Sequence, residues 1–459
     1  MRQAAIFLSS RPPKKLIPSW SHKTFATVNT THSADTPSPS SPSNGRTHTY
    51  EPPDSPGSVG MTLAHQMTLT DAAHPFELES GRSLSELTVE YETYGELSPD
   101  RTNAILICHA LTGDAHVAGW DAQARQTGRT WRLNKPGWWD EVVGPGKPLD
   151  TNRFFLICAN VIGSCYGTTG PGSINPATGR PYGLSFPFVT IGDWVKMEAL
   201  LLDRLGIRQL YAVIGGSLGG QQALEFSLAY PDRALKCIIL ASGPKLPSQG
   251  IGFNAVARHA IQQDPNFCCG DYYGNAQQPT DGLAVARMLA HITYLSGKGM
   301  DSKFGRELQN ESEDRFGFGV KFKVESYLNH QGRTFIERFD ANSYLYITRA
   351  MDYYDAAGAW GDGDLVQACR RIRAEVMVVS FSSDWLYPPE VSEEFVTALL
   401  RNETPVTYIN VESTYGHDAF LVEADKVGRL IRAFLLSPRN AVRRASASQS
   451  QTREGGPRP

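Results

Sequence analysis

The sequence lacks any long apolar run, since no stretch approaches the roughly 20 residues that a membrane-spanning helix needs. It also lacks an excess of one charge, because 44 basic and 47 acidic side chains among 459 residues give a net charge of −3. This balance gives no electrostatic reason to expect a nucleic acid or an anionic membrane as a partner. With 41% hydrophobic residues, the chain can form one large core or two modest ones.

A disulfide framework is also missing, although the chain contains seven cysteines. Most of them lie inside apolar runs such as "AILIC" and "FFLIC". An odd number without framework spacing is typical of reduced, buried thiols in a reducing compartment, which indicates a cytoplasmic protein. No motif for a bound cofactor or a metal is present.

The two ends of the chain differ from its body. Residues 1–60 carry several basic side chains before the first acid at Asp35 and then pass into "TPSPSSPSNG". This composition predicts either a mitochondrial targeting segment or a disordered extension of no structural importance, with Met61 or Met67 as the true start. The tail, residues 438–459, is basic and polar, and we expect it to be disordered.

Between these ends, short aliphatic runs alternate with helical patterns. Runs such as "AILICHA", "LYAVIGG" and "VMVVSF" have the length and composition of strands that are buried on both faces. Strands that alternate with helices predict a parallel α/β sheet. Residues 245–355 are mostly helical in pattern and are interpreted as a lid insertion between two core segments, residues 61–244 and 356–437. Such an insertion would cover the carboxyl ends of the strands, where ligands bind in α/β sheets.

One glycine-rich turn stands out within this pattern, "LYAVIGGSLGGQQALEF", residues 210–226. A strand, a Gly-x-Ser-x-Gly turn and a helix are typical of a nucleophile elbow, in which Ser217 would be exposed on a strained turn. The alternatives are a flexible glycine-rich bend and a phosphate-binding loop. The flanking strand and helix disfavour the former, and the absence of a lysine after the glycines disfavours the latter.

A serine nucleophile needs a general base and an acid that orients this base. In this architecture the three groups follow the order serine, acid, histidine. "VMVVSFSSDWLYPPE" places Asp384 just after one predicted strand, and "VTYINVESTYGHDAF" places His417 just after the next. Ser217, Asp384 and His417 are therefore the predicted catalytic residues.

The oxyanion that forms during acyl transfer needs two N–H donors. One is expected from Leu218, directly after the serine, and the other from the loop "CHALTGD" after an early strand, where Leu111 is the candidate. A metal site formed by His109 and His116 is the competing interpretation. It is disfavoured because no third ligand stands at a usual spacing.

Several long motifs resemble one known family: "LICHALTGDAH", "INPATGRPYG", "FPFVTIGDWV", "GGSLGGQQALEF", "FNAVARHAI", "ARMLAHITYLS" and "YGHDAFL". From about residue 68 to 436 the chain is similar to the MetX-type homoserine O-acyltransferases, which have the α/β-hydrolase fold and act in methionine biosynthesis. The resemblance implies acyl transfer from an acyl-CoA co-substrate to the hydroxyl of L-homoserine by a ping-pong mechanism. It also implies a homodimer, with substrate contacts from Arg258 and Asp418.

The acyl group is the next question, because this family uses acetyl or succinyl donors. Leu386, just after the predicted acid, offers an apolar wall where a basic residue would suit the second carboxylate of a succinyl chain. We therefore expect acetyl-CoA as the donor, although Arg338 or Arg349 could reach the site. Serine remains an alternative acceptor, because one methylene changes binding by only about 1–3 kcal/mol. A plain esterase is the other alternative.

Overall fold

The computed structural model describes residues 56–309 and 316–438. The predicted N-terminal extension up to residue 55 and the predicted tail beyond residue 438 lie outside these ranges. Within them, no helix is both long enough and apolar enough to cross a membrane.

Eight strands form the central sheet, and in chain order β1 to β8 are His65–Thr70, Leu87–Tyr94, Ala104–Cys108, Phe155–Ala159, Leu210–Gly216, Ala234–Leu240, Glu375–Phe381 and Val406–Val411. Their spatial order is β1-β2-β4-β3-β5-β6-β7-β8. The first two strands and β4 pair in antiparallel fashion, and all pairs from β4 to β8 are parallel. This confirms the predicted, mostly parallel α/β sheet.

Twelve α-helices accompany the sheet in the described part of the chain. The helices α1 to α12 are Ile191–Arg204, Leu218–Ala229, Ser248–Gln263, Thr280–Tyr294, Gly297–Phe304, Lys323–Ile336, Ala341–Tyr353, Ala356–Gly361, Leu365–Cys369, Pro389–Arg401, Ala419–Val422 and Ala424–Leu436. Two-residue strands pair outside the sheet, namely Met61–Thr62 with Trp120–Asp121, Phe76–Glu77 with Ser83–Leu84, Val143–Gly144 with Leu149–Asp150, and Ile174–Asn175 with Arg180–Pro181.

The strand β3 shows why the core strands have continuous apolar sequences. Leu106 faces one layer of buried side chains, which includes Trp194 of α1. Its neighbours Ile105 and Ile107 face the opposite layer, which includes Ile431 of α12. Because successive side chains of a strand point to opposite faces, a sheet covered on both sides needs apolar residues at every position.

A helical insertion separates β6 from β7. Lys245 and Asp355 pair as an antiparallel bridge, and the N–H of Ala356 donates to the carbonyl of Pro244 at 2.9 Å. The chain therefore leaves and re-enters the core at one point. The helices α3, α4, α6 and α7 pack on one another between these ends, while α9 packs against α10 of the core.

Candidate active site

Ser217 occupies the tight turn between β5 and α2. Its φ of 55° and ψ of −124° are a backbone conformation that costs of order 1–3 kcal/mol for a residue other than glycine. The flanking glycines allow this turn to pack closely. A β-carbon at Gly215 would lie 2.1 Å from the carbonyl oxygen of Gly219, and one at Gly219 would lie 2.0 Å from that of Cys108.

Three side chains form a continuous hydrogen-bonded chain at this turn. The hydroxyl of Ser217 lies 2.8 Å from Nε2 of His417, and Nδ1 of His417 lies 2.8 Å from Oδ2 of Asp384. The other carboxylate oxygen, Oδ1, accepts the backbone N–H groups of Leu386 and Tyr387 at 2.9 and 3.0 Å. All three side chains are buried. Asp384 therefore accepts the Nδ1 proton, which leaves Nε2 free to accept the hydroxyl proton of Ser217.

The two partners of the serine come from neighbouring strands. Asp384 follows the end of β7, and His417 follows the end of β8 in a 3-10 turn, Gly416–Asp418. This turn requires glycine at position 416, where φ is 70° and a β-carbon would lie 2.5 Å from the backbone nitrogen of Ser296. Because β7 and β8 are adjacent and parallel, the loops after them meet at one edge of the sheet.

The pKa of His417 reflects opposing effects. Burial alone would lower it, but the charge of Asp384, the hydrogen bond to this carboxylate and the nearby charge of Asp418 together raise the pKa above its ordinary value. The imidazole is thus prepared to accept a proton. Its ring also contacts the rings of Tyr387 and Tyr294, with centroids 5.6 and 6.0 Å away.

Two backbone N–H groups are available as donors, one directly after Ser217 in the chain and one in a residue of the pocket wall. Leu218 is the first residue of α2, and Leu111 lies in the loop after β3 and lines the same pocket as Ser217. Within residues 56–309 and 316–438, neither N–H donates a hydrogen bond. These are the two donors predicted for the oxyanion.

An apolar pocket opens above Ser217. Its wall includes Phe253 and Ala257 of α3, Tyr294 of α4, Met351 of α7, and Leu386. The insertion thus provides most of the cover over the serine. A wider surface cavity near Lys245 and Arg401 contains none of the three hydrogen-bonded side chains, so it is not the candidate site.

Arg258 and Asp418, the predicted substrate contacts, have different surroundings. Arg258 is buried, and its Nη2 pairs with Oδ2 of Asp352 at 2.5 Å. Burial lowers the pKa of Arg258, partly offset by the charge of Asp352, and its Nη1 has no hydrogen-bond partner within the described residues. Asp418 lies beside the base, and burial raises its pKa against the opposing charges of His417 and Arg287.

Sequence reasoning missed Arg287. Its Nη1 donates to Oγ1 of Thr112 at 3.2 Å, directly after Leu111 in sequence, and no carboxylate of the described residues lies within 4.0 Å of it. The signal was present in "ARMLAHITYLS", because Arg287, Ala290 and Tyr294 lie on one face of a helix. Arg338, which the sequence analysis considered for the acyl group, donates to the carbonyl of Thr112 at 3.0 Å.

The alternative metal site is not formed by the described residues. Nδ1 of His116 lies 3.2 Å from the carboxylate of Glu92, whereas His109 contacts the backbone of its own loop and of Val161. No group of three metal-ligating side chains occurs in the part of the chain that the structure describes.

The sheet order and the serine, histidine and aspartate at its edge define the class of α/β hydrolases, and residues 103–424 match the family model for the alpha/beta hydrolase fold. The chain is 50% identical to "Homoserine O-succinyltransferase" of Acidithiobacillus ferrooxidans over 82% of its own length and 96% of that protein. It is 52% identical to "Homoserine O-acetyltransferase" of Methanosalsum zhilinae, over 83% and 74%. The chain therefore belongs to the homoserine O-acyltransferases, which are transferases. This confirms the family predicted from the motifs.

Two solved structures extend the comparison. A homoserine O-acetyltransferase from Bacillus anthracis superimposes with a TM-score of 0.74 at 29% identity, over 82% of this chain and 98% of that chain. A protein named esterase E22 superimposes with a TM-score of 0.71 at 30% identity, over 81% and 100%. The relatives thus differ in the acyl group that their names give, and one structural neighbour is named as an esterase.

Proposed function

We propose that the protein transfers an acetyl group from acetyl-CoA to the side-chain hydroxyl of L-homoserine in methionine biosynthesis. The observation that carries this proposal is the hydrogen-bonded chain from Ser217 through His417 to Asp384, at the floor of a pocket in a member of this family. We take these three residues as a catalytic triad. The acyl group would be carried on the serine between the two substrates.

In the first half-reaction, Nε2 of His417 accepts the hydroxyl proton while Oγ of Ser217 attacks the thioester carbonyl. The negative charge that develops on the carbonyl oxygen is stabilised by the N–H groups of Leu111 and Leu218. The carbon–sulfur bond then breaks, and the imidazolium gives its proton to the CoA thiolate. The products are the acyl-serine and free CoA.

In the second half-reaction, homoserine replaces CoA and its hydroxyl lies against His417. The base removes this proton, the oxygen attacks the acyl-serine, and the returning proton restores the Ser217 hydroxyl. Homoserine carries a carboxylate and an ammonium group, so the site needs a cation and an anion. Asp418, next to the base, is suited to the ammonium group.

For the carboxylate, the contacts favour Arg287 over the sequence-based candidate Arg258. The charge of Arg258 is already paired with Asp352, whereas Arg287 has no carboxylate partner among the described residues. Arg287 also lies close enough to Asp418 for their charges to interact. We therefore propose that Arg287 and Asp418 bind the two charged groups of the acceptor.

Matched variants distinguish the two arginines. In Arg287→Gln, we expect KM for homoserine to rise about 30- to 150-fold, because a charge-assisted contact of about 2–3 kcal/mol is lost. CoA release in the first half-reaction should be unchanged. In Arg258→Gln, the buried carboxylate of Asp352 loses its ion pair at 2.5 Å. Among the described residues it keeps only the contacts of Asn254 and the more distant Arg349, so a lower melting temperature is expected instead. The opposite pattern in steady-state kinetics and thermal melts would assign the carboxylate to Arg258.

The proposal of an acetyl donor rests on Leu386, an apolar side chain of the pocket wall. We expect Leu386→Arg to raise the ratio of kcat/KM for succinyl-CoA over acetyl-CoA by about 10-fold or more, because the new cation pairs with the second carboxylate. Its backbone N–H still reaches Asp384, so the triad should persist. Leu386→Met is the control of similar volume, and it should leave the ratio unchanged. Faster turnover of succinyl-CoA by the native protein would overturn the acetyl assignment.

The rate of the first half-reaction should depend on pH through His417. Because the pKa of His417 is raised and only the neutral base accepts the serine proton, the rate should fall with decreasing pH already above the ordinary histidine value. Asp418→Asn removes a negative charge that favours the imidazolium, so this acid limb should move to lower pH. Stopped-flow CoA release, which needs no homoserine, measures both profiles. If the acid limb of the pH–rate profile is the same in Asp418→Asn and in the native protein, Asp418 does not influence the base.

An assay of acetyl-CoA and succinyl-CoA against homoserine and serine tests the overall function. Ester or thioester hydrolysis is a second candidate, favoured by the structural likeness to a protein named as an esterase. The proposed transferase should release CoA much faster with homoserine than with water alone. Equal rates with and without the acceptor would favour the hydrolase.

We further propose a cytoplasmic homodimer in which the helical insertion contributes to the interface. Val256 of α3 and Val285 of α4 are 57% and 48% exposed, which leaves apolar surface on two neighbouring helices of the insertion. Light scattering of the native protein tests the dimer. Sequencing of the mature N-terminus tests whether residues 1–60 are present.

A further inference from the structure

His109 is a buried residue of the oxyanion loop that the proposed mechanism does not use. Its Nδ1 lies 2.8 Å from the carbonyl oxygen of Ala110, and its Nε2 lies 3.3 Å from the backbone nitrogen of Val161. The side chain is 1% exposed, so both ring nitrogens are satisfied by backbone groups rather than by solvent.

The partners define the proton position on the ring. The N–H of Val161 can only donate, so Nε2 must accept, and the carbonyl of Ala110 can only accept, so Nδ1 must carry the proton. His109 is therefore a neutral imidazole with its hydrogen on Nδ1. Burial lowers its pKa, in agreement with this neutral form.

The carbonyl of Ala110 and the N–H of Leu111 belong to the same planar peptide unit. A hydrogen bond that fixes the direction of this carbonyl also fixes the direction of the N–H on the opposite side. The carbonyl receives a second hydrogen bond, from the N–H of Gly113 at 2.9 Å. Two donors on one carbonyl also polarise the peptide, which makes its N–H a stronger donor.

We propose that His109 is a positioning residue that aims the Leu111 N–H at the acyl oxygen through its bond to the Ala110 carbonyl. The inference rests on the proposed function, because it assumes that Leu111 stabilises an oxyanion. The backbone of His109 is also tied to the other donor. Its carbonyl oxygen accepts a hydrogen bond from Nε2 of Gln222 at 3.1 Å, and Gln222 belongs to α2, the helix that begins with Leu218.

Two amide variants separate the two ring contacts. In His109→Asn, the side-chain N–H₂ can occupy the position of Nδ1 and still donate to Ala110, while the bond to Val161 is lost. In His109→Gln, the longer side chain can reach Val161 with its oxygen, while the donor to Ala110 is lost. A residue that only fills space or ties the loop to Val161 would give the opposite order, because Gln keeps that contact.

The experiment compares acylation rate, inhibitor binding and stability in the full chain. We expect His109→Gln to slow single-turnover CoA release about 10- to 100-fold, which is less than the loss of a whole oxyanion donor, and to leave KM for acetyl-CoA within about 3-fold. His109→Asn should stay within about 5-fold of the native rate. Affinity for a simple boronic acid, whose serine adduct mimics the tetrahedral oxyanion, should weaken in parallel with the rate.

Each outcome has one meaning. Equal losses in both variants, or a larger loss in His109→Asn, would overturn the positioning role, and so would a rate loss without weaker boronic acid binding. Thermal melts identify a variant that fails to fold. If His109→Gln does not fold, His109→Asn alone still tests the donor to Ala110. If the native protein itself shows no burst of free CoA from acyl-CoA, the proposed function fails instead, and boronic acid binding still reports on His109.

Discussion

Ser217→Ala is expected to lower kcat for acyl transfer by at least about 10⁴-fold. Alanine removes the oxygen that bonds to the acyl group, while the pocket and both oxyanion donors remain. Rapid-mixing measurements should show no burst of CoA and no acylated protein by mass spectrometry. The residual rate would come from direct attack by homoserine on bound thioester, assisted by His417.

Ser217→Gly is the matched control for the strained backbone. Both variants lack the hydroxyl, but only glycine adopts a φ of 55° without steric cost. The glycine variant should therefore be as inactive as the alanine variant and more stable to unfolding by about 1 kcal/mol. A burst of CoA from either variant would show that the acyl group is not carried by Ser217.

Asp384→Asn is expected to reduce kcat about 10⁴-fold while the geometry of the site stays intact. In the native protein, Oδ1 of Asp384 accepts two backbone N–H groups and Oδ2 faces Nδ1 of His417. An asparagine must keep its oxygen toward the two N–H groups, so its N–H₂ faces the imidazole. Nδ1 then becomes an acceptor, and the ring proton moves to Nε2, where it blocks the transfer from Ser217.

Proton NMR and steady-state kinetics test this account together. The downfield resonance of the Nδ1 proton should disappear in the variant, and the melting temperature should change little. As a control, Ser383→Ala removes the hydroxyl oxygen that accepts the N–H of Gly416 at 3.0 Å, and it should cost far less activity. Native-like rates in Asp384→Asn would mean that the acid does not set the tautomer of His417.

The sequence was sufficient to predict the sheet and the places of Ser217, Asp384 and His417. Strands buried on both faces have a continuous apolar pattern, and the ends of parallel strands meet at one edge of the sheet. Residues just after such strands can therefore be brought together without any knowledge of helix packing. The glycines around Ser217 added a local signal, because the tight turn requires them.

Acceptor recognition was harder to predict for a physical reason. Arg258 and Arg287 lie on two helices of the insertion, and helical periodicity gives the face of a residue but not the partner of that face. Only the packing of α3 against α7 shows that Asp352 neutralises Arg258. The same limit applies to His109, whose bonds to Ala110 and Val161 depend on how the loops after two neighbouring strands meet.

The bridge between Lys245 and Asp355 marks the boundary between two parts of the chain that have different roles in the site. The three triad residues come from the turn and loops that follow strands of the sheet, while the pocket walls come largely from an insertion whose two chain ends meet at this bridge. Substitutions of wall residues in this insertion are therefore expected to change which acceptor binds more than they change the rate of the first half-reaction.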